Sequence, residues 1–285
     1  MKKGENFHKS LEPLMCCRDY TVSNEDYELL TNKKYDMLVT SPVPEDLDSY
    51  YKSEDYISHT NSRKTLIDKV YHRVRKYTIE KKVTLINSFN TEGKNLLDVG
   101  AGTGDFLVAC KNNGWNASGI EPSLDARKIA SDKKIELNED LFLLQEKSYD
   151  VITLWHVLEH VINLEDYIVQ LKRLLKEDGV LVIAVPNYKS YDAMYYKEYW
   201  AAFDVPRHLW HFSQKSISKL FQEVNMKVIQ TKPMKFDSYY VSLLSEKYKS
   251  GSINPLKAFY VGFRSNLKAK KTTEYSSLIY MLKKE

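Results

Sequence analysis

The sequence is short of cysteine, of long apolar runs and of any strong excess of one charge, and each shortage removes a class of function. Cys16, Cys17 and Cys110 are the only cysteines in 285 residues. An odd number, with two of them adjacent, is no disulfide framework and fits a reducing, cytoplasmic setting. No stretch of about 18 apolar residues occurs, so no membrane-spanning helix is expected. The chain opens Met1-Lys2-Lys3, but the polar Gly4-Glu5-Asn6-Phe7-His8 stands where a signal peptide needs its apolar stretch. A soluble protein is expected. The net charge of +4 is too small and too dispersed to argue for nucleic-acid binding. Internal repeats and low-complexity tracts are also missing.

Tyrosine, by contrast, is abundant, with 21 copies. Residues 1 to about 60 are polar and tyrosine-rich, with turn signals at Ser41-Pro42-Val43-Pro44. Residues 61 to 89 turn helical, with Leu66, Val70, Val74 and Tyr77 at three- and four-residue spacing. Strands and helices then alternate. Strands are expected at 95–100, 115–121, weakly at 135–137, at 149–155 and at 180–185. Helices are expected at 106–112, 124–131 and 164–176. Asp178-Gly179 reads as a turn. Such alternation predicts a parallel sheet covered on both faces. Beyond Pro186 comes an aromatic stretch to Phe212, then a helix near 216–224 and a strand near 227–231. Residues 237–272 read as an insertion with helical pieces, and 275–282 as a late strand.

Asp98-Val99-Gly100-Ala101-Gly102-Thr103-Gly104 falls between the first strand and the next helix. Glycines there let the chain reverse sharply and let a ligand approach the main chain, with helix amides pointing into the same space. Asp98 suits a cation or an amine rather than a pyrophosphate. A dinucleotide fingerprint needs glycine at position 105, which is aspartate. About 20 residues on, Glu121 ends the second strand, where a carboxylate can accept both hydroxyls of a ribose.

Leu97 to Gly104, Gly119-Ile120-Glu121-Pro122-Ser123 and Tyr149 to Trp155 resemble, in order, the first, second and fourth motifs of the class I S-adenosylmethionine-dependent methyltransferases. The resemblance implies a Rossmann-like α/β fold. Its sheet has seven mostly parallel strands, the last antiparallel, with helices on both faces and accessory segments at either terminus. It implies S-adenosyl-L-methionine as cofactor, held by Asp98, Gly100, Ala101, Gly102, Thr103, Gly104, Phe106, Glu121, Pro122, Trp155 and His156. The expected domains are an accessory or lid segment, 1–60, and a methyltransferase domain, 61–285, whose core is 93–186. Tyr50 to Ile57 is read either as part of that lid or as a packed face.

Trp155-His156-Val157-Leu158-Glu159-His160-Val161 follows the fourth strand. It matches a zinc-peptidase H-x-x-E-H pattern, but His156 sits directly after a strand rather than on a helix. The segment also resembles that of ubiquinone-biosynthesis O-methyltransferases, where acidic and histidine residues can hold a divalent ion. With His156 replacing an acid, the reading is that no metal binds. Trp155 and His156 then line the cofactor pocket, and Glu159 and His160 cap the next helix.

Trp200 to Phe212 resembles a W…D-x-P-R-H-x-x-H-F signature of bacterial relatives of those enzymes. His208 is the candidate base for an acceptor hydroxyl, with His156 a second catalytic candidate. Arg207 either binds an acidic acceptor or pairs with Asp204 to pin the loop. The amino-terminal segment resembles a degenerate zinc ribbon, and two adjacent cysteines cannot furnish a four-ligand zinc site. Residues 237–272 mix Phe259, Phe263 and Leu267 with several lysines and Arg264, suiting either a solvated surface or peripheral contact with anionic lipid or a partner. The expected activity is methyl transfer to a small-molecule acceptor, most simply at oxygen. The alternatives are a non-catalytic binder of S-adenosylmethionine or S-adenosylhomocysteine and a dinucleotide oxidoreductase, which Asp105 opposes. The residues leave the oligomeric state open.

Overall fold

The computed structural model describes residues 7–51 and 66–285, by backbone alone over 66–72. Residues 52–57 of the expected lid therefore lie outside the described residues.

Two sheets organise the chain. The first is built from β1 (Glu12–Arg18), β2 (Asp26–Asn32) and β3 (Met37–Ser41), joined by β9 (Trp210–His211) in the order β1-β2-β3-β9, all antiparallel. Sequence patterning predicts no strand in this segment. Its burial explains why: β1 is exposed at most positions, whereas β3 is almost wholly buried, so no clean alternation is written in the residues. Cys16 is exposed and Cys17 buried, as consecutive residues on opposite faces of a strand must be. The two thiols cannot chelate together.

The second sheet holds seven strands. They are β4 (Asn95–Val99), β5 (Asn116–Ile120), β6 (Leu137–Asn138), β7 (Tyr149–Trp155), β8 (Leu175–Pro186), β10 (Met226–Pro233) and β11 (Ser277–Lys284), in the order β10-β11-β8-β7-β4-β5-β6. The pairs β4–β5, β4–β7 and β5–β6 are parallel. Leu96, Leu97, Val151, Ile152, Leu154 and residues 181–184 have almost no exposed surface, the continuous apolar content that a sheet covered on both faces demands. Asp178-Gly179 lies within β8 rather than in a turn; Glu177 and Asp178 face solvent at the strand's polar start.

The helices are α1 (Leu66–Asn87), α2 (Asp105–Asn112), α3 (Leu124–Asp132), α4 (Leu164–Leu174), α5 (Tyr191–Tyr196), α6 (Gln214–Gln222), α7 (Asp237–Ser250) and α8 (Pro255–Thr272). Side-chain caps explain several starts. The Ser123 hydroxyl accepts from the Ala126 amide to open α3, and Ser213 and Ser216 form a reciprocal box at α6. Contact density divides the chain into two compact units. Of the described residues, one comprises 7–51, 156–167 and 183–280; the other comprises 66–155, 168–182 and 281–285. In the first, Cys17, Tyr27, Leu29, Leu38, Trp200 and Phe203 share a core with Val241 and Val261 of α7 and α8.

Candidate functional site

The glycine turn between β4 and α2 is fastened by backbone bonds. The amides of Gly100 and Ala101 both donate to the Ile120 carbonyl, at 2.8 and 2.9 Å, and the Gly104 amide donates to the Ala101 carbonyl. Gly102 has φ +54°, a left-handed conformation unfavourable for residues with a side chain. A Cβ placed on it would meet no atom within 4 Å, so this backbone faces open space. Gly104, φ +76°, instead packs close: a Cβ there would lie 3.2 Å from that of Ala130.

Two carboxylates flank the turn. Asp98 is buried and accepts a hydrogen bond from the Thr153 hydroxyl at 2.6 Å. Burial pushes its pKa up to about 7, against the pull of the Thr153 bond and Lys82. Glu121 reaches across from the end of β5; its Oε2 accepts the Gly102 amide at 2.8 Å and its Oε1 the Ser123 amide at 2.9 Å. Pro122 follows in the same turn, its carbonyl and that of Glu121 both accepting from Arg127.

Phe106 and Trp155 meet edge to face with centroids 5.8 Å apart, and the Lys82 ammonium stands 4.2 Å from the Trp155 ring centroid. The buried Trp155 indole N–H has no hydrogen-bond partner among the described residues. The residues expected to hold the cofactor, from Asp98 to Trp155, thus lie at the ends of β4, β5 and β7, in the turns after them, or, for Phe106, in the first turn of α2.

Sequence reading missed the clamp on this turn. Asp105, notable in the sequence only for excluding a dinucleotide motif, pairs with Arg75 at 2.5 Å and Lys133 at 2.6 Å, and Lys133 also donates to the Thr103 carbonyl. Burial opposes ionisation of Asp105, but Lys133 and Arg75 outweigh it and hold the carboxyl below its usual range. Its charge was the available signal; its partners are far away in sequence.

His156 follows Trp155 with φ +58°. Its amide donates to the Ala184 carbonyl. Its ring lies between two carboxylates, with Nδ1 3.2 Å from Glu159 Oε1 and Nε2 3.2 Å from Asp237 Oδ2. Burial lowers the imidazole pKa, yet Asp237 and Glu159 prevail and raise it to about 10. His156 is therefore a fixed cation near neutral pH, with neither nitrogen left to accept a proton. Nothing in its own neighbourhood signals Asp237, which arrives from α7.

His208 is buried. Its Nδ1 lies 3.0 Å from the Ala202 carbonyl and its Nε2 3.7 Å from Asp204 Oδ2. The Ala202 carbonyl oxygen can only accept, so Nδ1 is the donor in this contact. Arg207 pairs with Asp204 through Nε at 3.0 Å and through a second, shorter contact from Nη2; its Nη1 reaches the Tyr50 carbonyl. This is the loop-pinning arrangement, and it occupies the guanidinium that a charged acceptor would need. His160 Nδ1 lies 3.1 Å from the Arg207 carbonyl and 3.0 Å from the Tyr51 hydroxyl. Burial pushes the pKa of His160 down to about 4 and that of His211 to about 3, the proximity of His208 adding to both. Glu159, His160 and His208 offer ligand atoms within 4.8 Å of one another, and Glu159 Oε2 is buried with no hydrogen-bond partner among the described residues. Among the described residues, these three are the side chains that could hold a metal ion.

Comparison with known proteins agrees with the fold. A family model described as "Methyltransferase domain" matches residues 71–231. The chain is 30% identical over 125 residues to an uncharacterized protein of Methanocaldococcus jannaschii, covering 42% of this chain and 47% of that one. It is 36% identical over 110 residues to a ubiquinone biosynthesis O-methyltransferase of Glaesserella parasuis, covering 33% and 46%. The matched region thus spans about half the length of these relatives. A magnesium protoporphyrin IX methyltransferase from Synechocystis, solved with bound S-adenosylhomocysteine, superposes with TM-score 0.55 at 16% identity over 83% of this chain and 97% of that one. A SAM-dependent methyltransferase from Archaeoglobus fulgidus gives TM-score 0.52 at 17% identity over 74% and 94%. With more than half its residues matched by that family model, the chain belongs to the methyltransferase domain family.

Proposed function

We propose that this protein transfers a methyl group from S-adenosyl-L-methionine to an oxygen nucleophile of a small-molecule acceptor. The observation that carries the reading is the pairing of an open, side-chain-free backbone at Gly102 with the carboxylate of Glu121 beside it. Glu121 uses one lone pair per oxygen on amides and keeps the others for ribose hydroxyls. In this reading Asp98 meets the amino group of the methionine portion. Phe106 and Trp155 give an apolar wall. The cofactor supplies an electrophilic methyl carbon on a sulfonium leaving group. Positioning is then the enzyme's main task.

The acceptor hydroxyl must lose its proton as the new bond forms. His208 takes it at Nε2: its Nδ1 is anchored on Ala202, and Asp204 stabilises the imidazolium that results. Held as a cation between Glu159 and Asp237, His156 positions those two carboxylates rather than accepting a proton. With His208 as base, no step requires a metal. The modest net charge favours a small acceptor over nucleic acid, and the unpaired cysteines suit the cytoplasm. The resemblance to ubiquinone-biosynthesis enzymes supports oxygen as the atom methylated.

Titration calorimetry with S-adenosylmethionine and S-adenosylhomocysteine, then homocysteine release over a panel of phenols, carboxylates, sugars and amines, tests the proposal. Binding without turnover on any acceptor would make the protein a sensor; turnover on amines alone would overturn the choice of oxygen.

A further inference from the structure

The helix α8 is apolar on two opposite faces. At 100° per residue, Ala258, Val261, Gly262, Ser265 and Ala269 share one side and are buried. A Cβ on Gly262 would lie 2.9 Å from the Ser238 carbonyl oxygen, so small residues let α8 lie close against α7. The opposite side carries Leu256, Phe259, Tyr260, Phe263 and Leu267, and all five are exposed, Leu256 by 85% and Phe259 by 62%. A helix packed on one face by small residues has no structural need for large aromatic and aliphatic residues on the other. Phe259 stacks on both Tyr239 and Phe263, making the exposed surface a continuous ridge rather than scattered side chains.

The charged residues of α8 itself have one sign. Within Pro255–Thr272 stand Lys257, Arg264, Lys268, Lys270 and Lys271, with no acidic residue. Helical geometry places Lys257, Arg264, Lys268 and Lys271 along one flank of the apolar stripe and Lys270 in line with it, beyond Leu267. Lys257 also pairs with Glu246 at 3.1 Å, and Lys268 stands over the Tyr191 ring, so their ammonium groups border the ridge rather than cover it. An apolar stripe edged by basic residues matches the boundary of an anionic bilayer, where rings sink among the acyl chains and ammonium groups meet phosphates.

We infer that the α7–α8 hairpin docks this protein on anionic lipid membranes through the Leu256–Leu267 ridge and its basic border. A second copy is the poorer occupant. Twofold pairing of the ridge would bring the predominantly basic border of one copy toward that of the other.

Co-sedimentation of the full chain with vesicles tests this. Binding is expected to phosphatidylcholine vesicles containing about a third phosphatidylglycerol and not to phosphatidylcholine alone. It should weaken in about 0.5 M salt, where the Debye length falls to about 4 Å. Phe259→Ser with Phe263→Ser should lower partitioning at least about tenfold. Lys270→Gln with Lys271→Gln should lower it roughly 20-fold, about fivefold per charge. All four positions are exposed, and an unchanged Kd for S-adenosylmethionine would show that the variants fold. Absence of vesicle binding, or equal binding to neutral vesicles, overturns the inference. So does a dimer by light scattering that the Phe259→Ser, Phe263→Ser pair dissociates, since the ridge would then belong to a second copy.

Discussion

The Glu121 carboxylate accepts the Gly102 backbone amide at 2.8 Å, tying the end of β5 to the turn that leaves β4. One side chain thereby shapes the turn and, in the proposed function, is the group that would accept from a ribose. Glu121→Ala should weaken S-adenosylmethionine binding about 10- to 100-fold, the range for losing hydrogen bonds to a charged group. Gly102→Ala forces a side chain into the left-handed region at about 1 kcal/mol, and its methyl intrudes on the open space. Calorimetry should show weaker binding in both variants. The melting temperature should fall in Gly102→Ala.

If Asp98 meets the ammonium group as proposed, cofactor affinity depends on pH. With its pKa raised to about 7, it is increasingly neutral as pH falls below that value and then offers no charge to an ammonium group. Affinity should therefore drop between pH 8 and pH 6, by at most about tenfold per unit. Asp98→Asn should be weaker throughout and should flatten the profile. Titrations across that range would show an unchanged affinity if Asp98 does not face the ligand.

His156 makes stability depend on pH as well. Its folded pKa, raised to about 10, lies above the ordinary value near 6.5. The stabilisation is thus fully present below about pH 6.5 and is lost as pH rises through about 10. Thermal melts from pH 6 to 10 should show His156→Gln losing less stability with rising pH than the unaltered protein.

The base is assigned to His208. His208→Asn should lower kcat by about 10²- to 10⁴-fold while leaving the Kd for S-adenosylmethionine within about twofold. A fall in both together would mean that the buried ring is scaffold. Dialysis against a chelator should leave turnover unchanged. Loss restored by a divalent ion would instead place that ion on Glu159, His160 and His208 and give it the deprotonation.

The core of the sheet was legible because its signals are local. Leu96-Leu97-Asp98-Val99 and Val151 to Leu154 are buried on both faces, so their residues read as strand without any partner being known. The glycine turn and Glu121 were legible for the same reason. The features that escaped depend on distant partners. β3 is completed by β9, roughly 170 residues away, through Val39 with Trp210 and Leu38 with His211. Arg75 and Lys133 converge on Asp105, and Asp237 turns His156 from a proton acceptor into a cation. In the α7–α8 segment the helical pieces show in the residues, but which face of each helix is covered depends on how the two pack.

The last strand of the seven, β11, takes a seat between β8 and β10, where Tyr280, Met281 and Leu282 are wholly buried. During synthesis β10 therefore has no bonded neighbour in this sheet until β11 leaves the ribosome. Assembly of that half must wait for residues 277–284, and losing them would part the sheet in its interior rather than trim its margin.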